Sequence, residues 1–323
     1  MSLKILTEAG YNFGFGHFYR MSGVCDTISA AGREVSMYIY ADEVAKENLK
    51  KDYIIFSDWI DPEKIMDTVG ENDTVVVDSY HTDLDILEMI NHRADKLIVI
   101  DDNMRLDYKD MIILNPNYFA MFLRYPEDSG NTYYLGKDYT LLREPFNKIG
   151  ERKVNETVSD ILITMGGTDL KHITLKAVKC IKEMDTDVRL HVVVTNAYSD
   201  IEQIKEYMGP EDELCKDIDA QKMCDLMTSC DFAIATAGGT SNELIKTQCP
   251  SALKVVADNQ VLNARYMAEE GYFDIIEEDR AESIIKSFFD YEKRMEMTDK
   301  LKTLHSRRSA VDLIMKTAYG ESS

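Results

Sequence analysis

Positive charge is scarce in this sequence. Lys and Arg together number 37 against 58 Asp and Glu, a formal net charge of −21 over 323 residues. A field of that sign repels phosphate backbones, which argues against nucleic acid as a partner. Any phosphate-bearing ligand must then be held by a local positive site. Long apolar runs are missing too: no stretch reaches the ~18 residues of a membrane helix, so no membrane insertion is expected. The apolar run ahead of Glu8 is too short for a signal peptide. The cysteines at 25, 180, 215, 224, 230 and 249 include no C-x-x-C pair. Free thiols and a cytoplasmic location are the expectation. His81, His92, His172, His191 and His305 show no metal-ligand spacing, so neither a metal nor a cofactor is expected. There is no P-loop, no G-x-S-x-G elbow and no third glycine to complete a dinucleotide fingerprint.

What is present is a globular composition, 45% hydrophobic and 29% charged. Short β-branched apolar runs alternate with longer amphipathic segments, the pattern of parallel α/β units. Strands are predicted at 3–7, 35–40, 53–56, 74–77, 96–100 and 112–114, with helical patterns at 23–32 and 82–94. After a polar stretch at 144–158, read as a linker, the alternation restarts. Strands are predicted at 159–164, 189–194, 232–236 and 251–256, and helices at 171–184, 199–208, 220–228 and 240–247. The fold class is therefore α/β, two Rossmann-like doubly wound domains facing a cleft. The domains are placed at 1–145 and 155–290, with a charged helical tail at 291–323. In such sheets ligands bind beyond the C-terminal strand ends.

Four features sit at such ends. Gly14 and Gly16 precede His17 at the start of a helical pattern, where a histidine can move a proton near neutral pH. Glu8, ending the strand before it, is a carboxylate in reach of orienting that ring. Met165-Gly166-Gly167-Thr168-Asp169 and Ala237-Gly238-Gly239-Thr240-Ser241-Asn242-Glu243 each join a strand to a helix. Glycines there leave room for a pyrophosphate, and helix-end amides bind anions without lysines. Glu243 is placed to accept from ribose hydroxyls. Asp258-Asn259-Gln260 and Asn263 offer neutral hydrogen-bonding groups to sugar or phosphate oxygens. Asp78-Ser79-Tyr80 ends another strand, so Tyr80 can reach a ligand; Asp101-Asp102 reads equally well as a solvated turn.

These motifs together resemble a known family. G-x-G-H-x-x-R from Gly14 to Arg20, the segment from Gly136 through Tyr139 and Leu142 to Arg143, Met165 to Asp169 and Asn242-Glu243 resemble the UDP-sugar hydrolases of pseudaminic acid biosynthesis. That family acts on UDP-2,4-diacetamido-2,4,6-trideoxy-β-L-altropyranose and overlaps with proteins described as spore coat polysaccharide biosynthesis proteins. The likeness runs from about residue 3 to residue 273. From Asp217 through Asn259-Gln260 to Asn263-Ala264, the chain also resembles the peptidoglycan N-acetylglucosaminyltransferase, which shares the GT-B fold. The resemblance implies a UDP-sugar as ligand. Uracil would lie near Ile218, ribose near Glu243, and pyrophosphate on Gly166-Gly167 and Gly238-Gly239-Thr240. It implies that His17 activates a water, that the anomeric carbon inverts, and that Tyr80 lies near the sugar. Where the family opens on Arg-Ala-Asp-x-S, this chain has Leu6-Thr7-Glu8-Ala9-Gly10. A glycosyltransferase of the same fold and a noncatalytic nucleotide-sugar binder are the alternatives.

Overall fold

The structure is a computed structural model describing residues 2–11, 14–184, 186–304 and 309–320. The chain forms two compact units, residues 1–144 with 306–323, and residues 145–305.

In the first unit the order is β1 (Leu3–Ala9), α1 (Gly16–Ala30), β2 (Val35–Ala41), α2 (Glu43–Asn48), β3 (Ile54–Phe56), α3 (Pro62–Thr68), β4 (Thr74–Asp78), α4 (Leu84–Arg93), β5 (Lys96–Ile100), β6 (Ile112–Asn115) and β7 (Thr132–Leu135). The strands lie in the order β3-β2-β1-β4-β5-β6-β7, all parallel. The direction of winding reverses between β1 and β4, which is the switch point of a doubly wound sheet.

Both faces of the central strands are covered, and side chains alternate between them. Leu3, Ile5 and Ala9 of β1, Val76 of β4 and Ile98 and Ile100 of β5 pack with Met21, Val24 and Ile28 of α1. Leu6, Val75, Val77, Leu97 and Val99 pack on the other side with Trp59, Ile65, Leu87 and Ile90. The Trp59 indole N–H donates to the Thr7 carbonyl at 2.8 Å, satisfying its one polar group inside that layer. Helix α4 starts where the Asp83 carboxylate accepts from the Ile86 amide. A Cβ at Gly23 of α1 would lie 3.1 Å from the Arg143 Cα, so residues 142–143 pack closely on α1 at a position where a side chain would crowd them.

The second unit runs β8 (Asp160–Thr164), α5 (Ile173–Lys182), β9 (Arg189–Val194), α6 (Ile201–Tyr207), β10 (Glu213–Lys216), α7 (Ala220–Ser229), β11 (Phe232–Thr236), α8 (Thr240–Lys246), β12 (Ser251–Lys254), α9 (Val261–Glu269), β13 (Asp274–Ile275), α10 (Ala281–Ser287) and α11 (Tyr291–Lys302). Its sheet is also all parallel, in the order β10-β9-β8-β11-β12-β13, with the switch point between β8 and β11. Helix α12 (Ala310–Tyr319) returns to the first unit, burying Val311, Ile314 and Met315 in the α1 layer.

The structure departs from the sequence reading in several places. Helix α1 begins at Gly16, about two turns before the periodic segment, because it opens on Gly-His-Phe-Tyr-Arg with no clean apolar stripe. The segments α2 and α3, of six and seven residues, are too short to show a period. The tail expected as one piece is divided. Helix α11 belongs to the second unit, where the buried Arg294 donates to the carbonyls of Asn155 and Glu156. Helix α12 belongs to the first unit. His305 lies outside the described residues.

Candidate active site and nucleotide site

The first unit gathers its polar residues at the β1–β4 switch point. His17 and Arg20, three apart on α1, lie on one helix face. Opposite them Asp78 ends β4, on the same sheet face as Val76. Asp102 follows β5 on the face of Ile98 and Ile100. His17 Nδ1 lies 2.8 Å from Asp78 Oδ1. Arg20 Nε donates to Asp78 Oδ2 at 2.6 Å, and its terminal nitrogens donate to Asp102 at 2.9 Å each. The Tyr80 hydroxyl donates to Asp102 Oδ2 at 2.7 Å. Its ring meets the His17 ring edge-on, centroids 4.5 Å apart. Asn117 Nδ2 donates to Asp102 Oδ1 at 2.9 Å.

The electrostatics follow from these contacts. Burial raises the cost of charge on every member. The Arg20 guanidinium nevertheless holds Asp78 and Asp102 below the usual carboxylate range. An ionised Asp78 only accepts hydrogen bonds, so we assign the His17 proton to Nδ1 and the basic lone pair to Nε2. Burial disfavours an imidazolium at His17 and Arg20 repels it. The charge and hydrogen bond of Asp78 outweigh both, and the pKa of His17 lies above its usual value.

Glu8, expected within reach of the His17 ring, stands near it, but the nitrogen that is held in a hydrogen bond, Nδ1, faces Asp78. Glu8 stands on β1 one residue beyond Thr7, and Thr7 is the register partner of Asp78, so alternation turns Glu8 off the α1 face. Its carboxylate accepts from the Ser79 hydroxyl and from the Tyr80 amide at 3.1 Å, and contacts His81 Nδ1 at 2.9 Å. Glu8 Oε1 lies 3.8 Å from His17 Nε2. His81, read from sequence only as a non-ligand for metal, and Asp102, which read equally well as a solvated turn, are therefore part of this cluster. Arg20, expected to meet substrate, has its guanidinium turned inward onto two carboxylates. Gly14, at φ +77°, forms a bridge with Gly10, while Gly16 opens α1. The signal for Asp78 was available: an acid ending a run of valines in a buried strand needs a cation. Which helix supplies it was not readable.

The second unit's switch point has a different makeup. Gly166 has φ +81°, a conformation that only glycine adopts freely. The Gly166 and Gly167 carbonyls accept from Tyr198 Oη at 3.0 Å and Thr195 Oγ1 at 2.8 Å, so the turn is anchored from beyond β9. Thr168 is half-buried. Asp169 caps α5, accepting from the amides of Ile173 and Thr174 at 2.9 and 2.7 Å. Gly239 is exposed at the head of α8 with Thr240 next to it. Gln260 packs over Gly238, with a Cβ there lying 3.2 Å from Gln260 Nε2. Its Oε1 accepts from the Val256 amide at 3.0 Å. Asn263 Nδ2 donates to the Ala237 carbonyl and to Ser241 Oγ, both at 3.2 Å, tying α9 to the glycine turn. Asn242 is buried in α8, and Glu243 is half-buried one position further on. Asn259 lies in the helical turn 258–260 after β12. Ile218 is half-buried between Asp217, which binds the Asn196 amide, and Asp219, which caps α7. Among the described residues no group of three or more His, Cys, Asp or Glu side chains is arranged to hold a metal ion. No helix among them is long and apolar enough to cross a membrane.

Two parallel-sheet α/β units of this kind define a GT-B architecture, and solved structures agree. MurG of Acinetobacter baumannii aligns over 98% of this chain and 100% of its own, at 12% identity and TM-score 0.59. Phytolacca americana UGT2, solved with UDP-2-fluoro-glucose and pterostilbene, aligns over 98% of both chains at 9% identity and TM-score 0.63. At such identities the likeness is one of fold. No family model matches the sequence. Among curated proteins, the chain is 28% identical over 276 residues to the Helicobacter pylori protein named pseudaminic acid cytidylyltransferase and UDP-2,4-diacetamido-2,4,6-trideoxy-β-L-altropyranose hydrolase. That match covers 84% of this chain and 48% of the relative. It is 24% identical over 205 residues to the Campylobacter jejuni UDP-2,4-diacetamido-2,4,6-trideoxy-β-L-altropyranose hydrolase, covering 61% of this chain and 72% of that one. An uncharacterized Methanocaldococcus jannaschii protein is matched over 54% of its length. The chain thus spans about half the length of two of these relatives.

Proposed function

We propose that this chain hydrolyses a UDP-linked deoxyamino sugar, releasing UDP and the free sugar for the biosynthesis of a nonulosonic acid or surface polysaccharide. The observation that carries the reading is the Asp78–His17 pair, a histidine with one nitrogen fixed by an anionic carboxylate and the other turned away from it. A base so arranged takes a proton from water through Nε2 as the water oxygen attacks the anomeric carbon. The bond from that carbon to the diphosphate oxygen breaks, its electron pair leaves with UDP, and the anomeric centre inverts. Arg20 keeps Asp78 ionised so that it does not take the proton itself, and it braces Asp102 and with it the Tyr80 ring.

In the second unit the glycine turns at 166–167 and 238–239 bring backbone amides to the pyrophosphate without adding side-chain charge. Glu243 accepts from the ribose, the backbone at Ile218 meets the uracil, and Asn259 and Gln260 line the sugar-phosphate side. The names of the Helicobacter and Campylobacter relatives support a UDP-sugar hydrolase over other uses of this fold. The experiment is to incubate the protein with a panel of UDP-sugars and no acceptor. Release of UDP together with free sugar is expected. UDP release only when an acceptor hydroxyl is supplied would make it a glycosyltransferase, and UDP binding without turnover would make it a binder.

A further inference from the structure

His81 is the histidine that the proposed reaction leaves without a task. It sits three residues past the end of β4, with its Nδ1 on Glu8 Oε2 at 2.9 Å and its backbone amide donating to Ser79 Oγ at 3.0 Å. The other oxygen of the same carboxylate, Oε1, lies 3.8 Å from His17 Nε2. One carboxylate thus lies near two imidazoles, one buried and one reaching solvent. The side chains of His17, Glu8 and His81 are 9%, 1% and 46% exposed.

We propose that Glu8 and His81 form a relay that carries the proton taken up by His17 out to solvent and so resets the base after each turnover. The proposal rests on the reading of His17 as the base. Hydrolysis leaves one proton behind: water loses it to His17 Nε2, and the diphosphate departs with the electron pair of the broken C–O bond. His17 is buried and its Nδ1 faces Asp78. Asp78 is a poor acceptor, because protonating it would strip Arg20 of a partner that the guanidinium holds ionised. Glu8 carries no guanidinium among the described residues; Ser79, the Tyr80 amide and His81 are its partners. The imidazolium N–H at Nε2 passes its proton to Glu8, a closure of less than 1 Å from the resting contact bringing the two into hydrogen-bond range. Once Glu8 is protonated, the His81 tautomer with a bare Nδ1 takes the proton at that nitrogen, gives its Nε2 proton to water, and is restored by exchange with solvent. The charged groups facing His17 from the surrounding elements, Asp78, Asp102 and Arg20, hold the imidazolium in place. A buried base that retains its proton this well gains most from a dedicated way out.

The test uses His81→Gln, which keeps an N–H facing Glu8, and Glu8→Gln, which keeps the shape of the carboxylate. Without any substrate, exchange between the imidazole and imidazolium forms of His17 is followed by ¹H–¹⁵N NMR in dilute buffer. The relay requires exchange several-fold slower in both variants, and restored by added imidazole. Unchanged exchange in folded His81→Gln protein overturns the relay whatever the substrate is. With a UDP-sugar that turns over, kcat of His81→Gln should fall in dilute buffer and recover with imidazole, while kcat/KM holds. A loss that imidazole does not restore would place His81 in substrate contact or site shape and overturn the proposal. Absent turnover in the wild type, with slowed exchange in the variants, would instead overturn the hydrolase reading and leave the relay standing.

Discussion

At the β1–β4 switch point the strand ends carry Glu8, Asp78 and, after β5, Asp102, packed around a histidine and an arginine. At the β8–β11 point they carry Gly166-Gly167 and Gly238-Gly239, with the neutral amides of Gln260 and Asn263 behind them. The two sheets share a topology, so the difference lies in what the strand ends hold. Charge buried against charge makes a rigid acid–base site whose members depend on one another. Glycine turns make a surface of backbone donors that is nearly independent of side-chain chemistry. For a chain of net charge −21, the proposed binding of an anionic nucleotide by the second means would not require giving up the first.

The largest effect that would separate the two regions is on turnover. His17→Asn should lower kcat by about 10²–10⁴, the usual worth of general-base catalysis. The thermal shift produced by UDP should be preserved, because the groups proposed to hold the nucleotide lie in the other unit. Rapid-quench assay and thermal melting on one preparation check both halves.

Stability separates them next. Arg20→Leu leaves Asp78 and Asp102 buried without their cation, and breaking a buried pair costs about 3–5 kcal/mol. Urea unfolding should show a loss of that order at neutral pH. Both carboxyls have lowered folded pKa values, so their stabilisation is present above the unfolded carboxylate range and vanishes as pH falls. The deficit of Arg20→Leu should shrink with it.

Gly239→Val tests the other region with little effect on the fold. Residue 239 has φ −54°, and a Cβ there meets nothing within 4 Å. The unliganded melting temperature should stay close to that of the wild type. The stabilisation by UDP, about 2.7 kcal/mol at a hundredfold excess over Kd, should disappear. A retained shift would remove the phosphate assignment at this turn.

The smallest effect is in pH dependence. Because the folded pKa of His17 is raised, the acid limb of kcat/KM should have its midpoint above about 6.5, the ordinary imidazole value. The stability that His17 adds over His17→Asn should be fully present below that unfolded value and lost as pH rises through the folded one. Unfolding curves at intervals across that range check the sign.

The same contrast governs how far the sequence could be read. Glycine turns announce themselves locally, so the segments at 166–169 and 238–243 were legible as strand-to-helix junctions. So was the placement of Gly14, Gly16 and His17 between a strand and a helix. The acid–base cluster is assembled across 82 positions of chain, from Arg20 to Asp102, with Asn117 a further 15 along. In strands buried on both faces, such as Thr74–Asp78, every position is buried and the interior run is valine on both faces. The period-two pattern that tells one face from the other is then absent. The sequence pointed to Glu8 as the carboxylate near His17, and the register of β1 with β4 brings Asp78 there as well. Short elements were lost for another reason. The edge strand β7, with four residues, and β13, with two, carry too little pattern to separate from loops.

The proposed hydrolysis turns on where the water oxygen goes. The direct measurement is turnover of a UDP-linked deoxyamino sugar in H₂¹⁸O without acceptor, with mass analysis of both products and NMR of the sugar before its anomers equilibrate. The label should appear on the anomeric oxygen of an inverted free sugar, with unlabelled UDP, and the rate should collapse in His17→Asn. Label in the UDP phosphate, or an unchanged rate in His17→Asn, would contradict it.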